Sequence, residues 1–209
     1  ARQRRERARL ANDEVLRRGA AEQQRGEIVR HVALVAAQKP SGRIDAGADQ
    51  DLDEAAGLAS DPAAPLEGLR RPVGIGRAAL AAGRSRWADA EAVLAPLRND
   101  VGPESGQGMA AMIFGLSAEV AMKSGRMQDA IRCARRAVSD PTGSPVDRTR
   151  SRVELARAYA STGNKEEASS EARRALDEAD RMGAPLITAL ACAVLVELAE
   201  GGNPETIRG

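Results

Sequence analysis

The sequence predicts an all-α protein built as a right-handed α-solenoid of paired helices, and three observations carry that expectation. First, ARRAV at 134–138 recurs as ARRAL at 172–176, and the same shift of 38 residues carries Gly125 onto Gly163, Ala118 onto Ala156 and Ala130 onto Ala168. A repeat of this period marks a stack of small units, each burying its apolar face only against its neighbours. Second, apolar residues return at helical spacing and nowhere alternate over a useful length. Third, aromatic residues make up only 1% of the 209, so the apolar mass is Ala, Leu, Val and Ile, which suits closely spaced helices.

Residues 1–38 read as an N-terminal helical segment, with Leu10, Val15, Leu16, Ile28, Val29, Val32, Leu34 and Val35 as its apolar positions. Residues 39–68 are rich in Asp, Ala, Gly and Pro and carry seven acids and no base between 45 and 68, which reads as an acidic loop or linker with a short helix over Leu52–Ala59. From 69 to 200 the chain reads as helical repeats with a terminal capping helix, and 201–209 as a tail. The first pair takes its first helix from about 72–83, weakened by Gly74 and Gly76, and its second from Arg86–Trp87–Ala88–Asp89–Ala90 onward through Leu94 and Leu97.

The next pair runs from about 109 to 141. Met112, Ile113, Leu116, Val120 and Ala121 form one stripe, Ser124–Gly125–Arg126 breaks it, and Met127, Ala130, Ile131, Ala134, Ala137 and Val138 form the second. Asp140–Pro141 ends the unit, because proline cannot continue the hydrogen-bond ladder. Ser144 then reads as an N-cap with Pro145 at the first helical position, and Asp147 favours the positive helix end. Val153, Leu155, Ala156 and Tyr159 follow, then Thr162–Gly163, and Asn164 with Glu167 reads as a capping box. Ala168, Ala172, Ala175, Leu176 and Ala179 give that helix its buried face. Gly183 stops it, and Pro185 opens a last helix through Leu186, Leu190, Val194 and Leu198 that covers the end of the stack or pairs with a copy of itself.

These units resemble the tetratricopeptide repeat, a helix–turn–helix with small residues at the helix crossings and a glycine before the turn. Residues 145–182 match through Ala156, Tyr159, Gly163, Ala168, Ala172 and Ala175; residues 111–141 match through Ala118, Gly125, Ala130, Ala137 and Pro141, with Phe114 at the early aromatic position. The resemblance covers roughly 72–182. It departs from the motif in its spacing of 38–40 residues instead of the usual 34 or so, and in Ala121 where a late aromatic is expected. Lengthened units ending in a stretch such as DRMGAPLITALACAVLVELAE are similar to the C-terminal helical repeats of large bacterial ATP-dependent transcription activators, where such repeats serve as effector- or partner-sensing arrays.

The resemblance implies that first helices line a concave face. Its candidate partner-binding residues are Met112, Glu119 and Met122 in one unit and Arg150, Val153 and Arg157 in the next. Glu119 and Arg157 stand where a clamp for C-terminal carboxylates would want asparagine, so an acidic chaperone tail is not the expected ligand. The expected function is a non-catalytic protein- or peptide-binding module of a bacterial regulatory protein.

Other chemistries find little footing. Net charge is +1, so the molecule as a whole does not steer towards nucleic acid or anionic lipid. The alternative is a nucleic-acid-binding helical repeat using the arginine-rich start (Arg2, Arg4, Arg5, Arg7, Arg9) and the pairs Arg135–Arg136 and Arg173–Arg174. Gly74–Ile75–Gly76–Arg77–Ala78–Ala79 fits a loose dinucleotide fingerprint but follows no buried strand, and reads better as a glycine-tolerant helix start. His31 is the only histidine, which leaves no metal site and no nucleophile–base pair to assemble, hence no expected cofactor and no expected enzyme activity. Cys133 and Cys192 both fall in helical pattern and read as buried free thiols. No apolar run approaches the roughly 20 residues of a membrane span, and a cytoplasmic location is the corresponding expectation.

Overall fold

A computed structural model describes residues 67–102 and 108–201. Its described residues form seven α-helices and no strand: α1 Glu67–Gly83, α2 Trp87–Asn99, α3 Met109–Lys123, α4 Met127–Val138, α5 Pro145–Ser161, α6 Lys165–Met182 and α7 Pro185–Ala199. Over the described residues the all-α class is therefore observed. The chain divides into two compact units, Ala1–Gly76 and Arg77–Gly209, and the second holds α2 to α7 together with the later part of α1. The expected segment 1–38, with His31 and the arginine-rich start, lies outside the described residues, as do most of the linker and most of the tail.

Within this second unit each helix packs on the next from α2 to α3 and from α3 through α7 without interruption. In addition α3 packs on α5, and α5 on α7. Alternate helices α3, α5 and α7 thus lie side by side, with α4 and α6 each lodged against two of them. Two clusters hold the stack. Phe114, Ala118, Ala121, Ala130, Ile131, Ala134, Ala137, Leu155, Ala158, Tyr159 and Ala168 form one. Val153, Ala156, Ala172, Ala175, Ala179, Ile187, Ala191 and Val194 form the other. The alanine stripe of α6, read from its spacing, is fully buried at all four positions, Ala168, Ala172, Ala175 and Ala179. Small side chains let the helix axes approach closely, so this stripe trades buried area for short-range contact.

The turns repeat as the helices do. Arg86, Arg126, Asn164 and Ala184 each send a backbone N–H to the carbonyl five residues back, on Ala81, Ala121, Tyr159 and Ala179, which is the Schellman closure of a helix end. That closure needs a left-handed residue just before. Gly125 (φ 75°) and Gly163 (φ 81°) supply it without strain, while Ser85 (φ 58°) supplies it at the α1–α2 turn with a side chain attached. Ala90, Ala130 and Ala168, five residues beyond Ser85, Gly125 and Gly163 respectively, are all buried.

Two local expectations are corrected, and a third holds. α1 begins at Glu67, so the last two residues of the expected loop and both Gly74 and Gly76 are helical; burial of Val73, Ile75, Ala78 and Leu80 offsets the glycine cost. Asn164 makes no capping bond: its side-chain amide donates to Thr162 Oγ1 at 3.2 Å, and the Schellman turn sets the start of α6. Ser144, by contrast, accepts the Asp147 N–H at 3.1 Å with Pro145 at the first helical position.

Candidate functional site

The first helices α3 and α5 present the residues singled out from the resemblance, and the stack treats them unequally. Glu119 of α3 and Arg150 of α5 are brought together at 3.8 Å, with the arginine 46% exposed. Further along α5, Arg157 reaches Glu154 at 3.4 Å. Met112 and Met122 are half-buried, and Met122 packs against the first cluster. Val153 has no exposed surface at all. It sits in the seam where α5 meets α6 and α7, so its work is packing, and a partner cannot touch it without opening the core. Glu119 and Arg150 therefore pair between two helices, while Arg157 pairs within α5 with Glu154, a buried carboxylate.

On the seam between α5 and α6, Arg152 bridges Glu171 at 2.6 Å and Glu178 at 3.3 Å. The Thr149 hydroxyl lies within hydrogen-bond reach of Glu178 Oε2 (2.9 Å) and the Pro145 carbonyl (2.8 Å). Burial lowers the Arg152 guanidinium's affinity for its proton, but the two carboxylates outweigh burial and raise it. Charge here fastens α6 to α5.

A second polar centre lies where α2, α3 and α4 meet, around a cleft of about 280 Å³ lined by Glu91, Arg98, Phe114, Ser117, Asp129, Arg132, Cys133 and Arg136, among others. Glu91 receives both Arg98 and Arg126, the latter at 2.8 Å. Arg98 also donates to Ser117 Oγ at 3.2 Å, and Ser117, fully buried, donates in turn to the Ile113 carbonyl at 2.7 Å. Burial pulls the Glu91 carboxyl up, yet hydrogen bonds from Arg98 and Arg126 outweigh it and hold the group below the usual carboxylate range. Asp129 takes Arg126 and Arg132, and the Arg136 guanidinium lies over the Phe114 ring, 4.7 Å from its centre. Burial pushes the Cys133 thiol up, which keeps it protonated and unreactive at neutral pH.

Sequence reasoning missed this cleft. Glu91 and Arg98 are seven residues apart and so share a helix face, which was a legible signal; the arrival of Arg126 from a turn 35 residues away was not. The four arginines of the nucleic-acid alternative that lie in the helices are all exposed. Three of them are nonetheless engaged: Arg135 with the Tyr159 hydroxyl at 2.8 Å through Nε, Arg136 with Phe114, and Arg174 with Glu171 at 3.5 Å. Cys192 is a correction: it is exposed, because no described helix covers the outer side of α7, whereas Cys133 is buried as expected. Leu190, Val194 and Leu198 turn inward onto the clusters and seal the stack.

Among the described residues no group of three His, Cys, Asp or Glu could hold a metal ion, and no helix is long and apolar enough to cross a membrane. Gly74–Ile75–Gly76 lies inside α1 and not in a phosphate-cradling loop. Compared with known proteins, the chain matches no family model and no curated protein.

Proposed function

We propose that the second unit is a right-handed solenoid of tetratricopeptide-like antiparallel helix pairs that works as a non-catalytic interaction or sensor module, binding a peptide or protein partner across the exposed face of its first helices. The observation that carries this reading is the partly exposed Glu119–Arg150 pair, drawn from two helices packed side by side, with half-buried Arg157 further along α5. Ion pairs as exposed as Glu119–Arg150 contribute little to stability, about 0–1 kcal/mol, so they can be exchanged for pairs with a partner at small cost. The flanking thioethers of Met112 and Met122 add adaptable apolar surface beside that charge. The setting implied by the resemblance is a large bacterial transcription regulator in the cytoplasm, with this unit sensing the partner.

A display library of peptides selected against the full chain tests the proposal. Selected peptides should carry both signs of charge, and the combined reversal Glu119→Arg, Arg150→Glu, Arg157→Glu should weaken them at least tenfold. Arg173→Glu on α6 should not. Peptides bound equally well by the triple reversal would overturn the assignment of this face.

A further inference from the structure

Two of the three large apolar side chains left exposed among the described residues, Leu186 (53%) and Val196 (54%), lie on the last described helix, α7. The interface one helix earlier explains the position of Val196, while Leu186 corresponds to Val146, which is itself exposed. Pro145 and Pro185 both open their helices at the first position and stand 40 residues apart. Counting from each proline, Thr149, Val153 and Ala156 of α5 correspond to Ala189, Ala193 and Val196 of α7. On α5 these three positions are fully covered: Val153 and Ala156 share a cluster with the alanines of α6 and with Ile187 and Ala191 of α7, and Thr149 meets Glu178 of α6. On α7 the corresponding three are exposed. The outer side of α7 is thus the continuation of an interface already filled on α5.

We propose that a second copy of this chain fills it, α7 lying antiparallel on α7 of the partner about a two-fold axis near the middle of the helix. The face fits its own image. Leu186, Ala189, Ala193 and Val196 recur at spacings of three, four and three, the seam of a two-helix contact, and run large, small, small, large. Antiparallel pairing sets the leucine at one end against the valine of the other copy, and the two alanines against each other. Small residues then meet at the crossing, where the axes are closest, and large ones where the axes diverge. The seam carries no charge, whereas α5 offers its occupant Thr149 and Arg152, which α6 answers with Glu171 and Glu178. An occupant of α7 must lack such carboxylates on its contact stripe, and among the described helices α7 itself is the one that exposes two large apolar side chains along such a stripe. This surface is separate from the Glu119–Arg150 pair, so its failure leaves the peptide-binding reading untouched.

The experiment is light scattering on the full chain over a concentration series into the high-micromolar range, with a short bis-maleimide as covalent probe. Cys192 lies beside the proposed axis and is exposed, and buried Cys133 serves as the internal control. The expected result is a concentration-dependent dimer crosslinked through Cys192. Cys192→Ser should remove the crosslink but not the dimer, and Val196→Glu and Leu186→Glu should each give monomer with unchanged helical circular dichroism. A monomer at every concentration, a dimer that withstands both glutamates, or a dimer whose Cys192 thiols do not crosslink would overturn it.

Discussion

Gly143, in the loop between α4 and α5, is held close against α3, and replacing it with alanine gives a sharp test of how rigid the packing is. A Cβ added there would sit 2.6 Å from the Cβ of Ala111, 3.3 Å from Arg148 Cγ and 3.4 Å from the Asp140 carbonyl oxygen. Carbon atoms rest comfortably at about 3.5–4.0 Å, so a displacement of roughly 1 Å is needed. The Ala111 Cβ has no rotamer to escape into, since it is fixed to the backbone of α3. Nor is that backbone free: the Ala111 N–H is held by Asp140 Oδ2 at 2.9 Å, and the Gly108 N–H by Thr142 Oγ1 at 3.1 Å. Overpacking of this kind costs about 1–3 kcal/mol. The loss of backbone freedom in the unfolded chain returns about 0.4–1 kcal/mol. The expected net is a destabilisation of about 1–2 kcal/mol for Gly143→Ala, read by urea denaturation. Ala111→Gly alone removes a helix former and costs about 0.5–1 kcal/mol. In the double variant the collision vanishes, so the two changes should be less damaging together than their sum by about 1 kcal/mol or more. A Gly143→Ala variant within about 0.5 kcal/mol of the parent, or a pair of changes that simply add, would refute the claim that α3 cannot yield.

Ser85→Gly should stabilise the protein by about 0.5–1 kcal/mol in the same assay, because Ser85 holds the left-handed position that glycine takes at the α3–α4 and α5–α6 turns. Glu91 and Asp140 should make the unit acid-sensitive. In each case burial raises the carboxyl and hydrogen bonds outweigh it, from Arg98 and Arg126 on Glu91 and from Thr142 and Ala111 on Asp140, so both groups sit below the ordinary carboxylate range. Their stabilisation is complete above that range and disappears as pH falls through it. Unfolding midpoints measured from neutral to acid pH should therefore drop less steeply in Glu91→Gln than in the parent. A maleimide reagent should label Cys192 rapidly in the native chain and Cys133 only once the chain unfolds, since one thiol is exposed and the other is buried and held protonated; mass spectrometry of labelled peptides reads both.

Much of the fold was legible because alanine at a helix crossing has few other uses. Ala130, Ala134, Ala137, Ala168, Ala172 and Ala175 were assigned to buried faces from spacing alone, and all six are buried. The N-cap at Ser144 and the stop at Gly183 were legible for the same local reason, since each satisfies backbone groups within a few residues. Asn164 misled because a capping box and a Schellman turn compete for the same amide region, and the turn prevailed. Val153 misled because period alone cannot tell a groove-facing position from one buried by the next helix. The cleft around Glu91 depends on three helices meeting, and no local pattern announces Arg126 there.

Leu198, in the last turn of α7, packs against both clusters. Its contribution is thus shared between layers that are otherwise built from separate sets of buried residues. In a linear array, such shared side chains set the coupling energy that decides whether layers melt one at a time or together. Deleting α7 would strip surface from both layers at once, so a shortened chain ending near Met182 would lose more than its terminal segment, and the loss would spread inward towards α3.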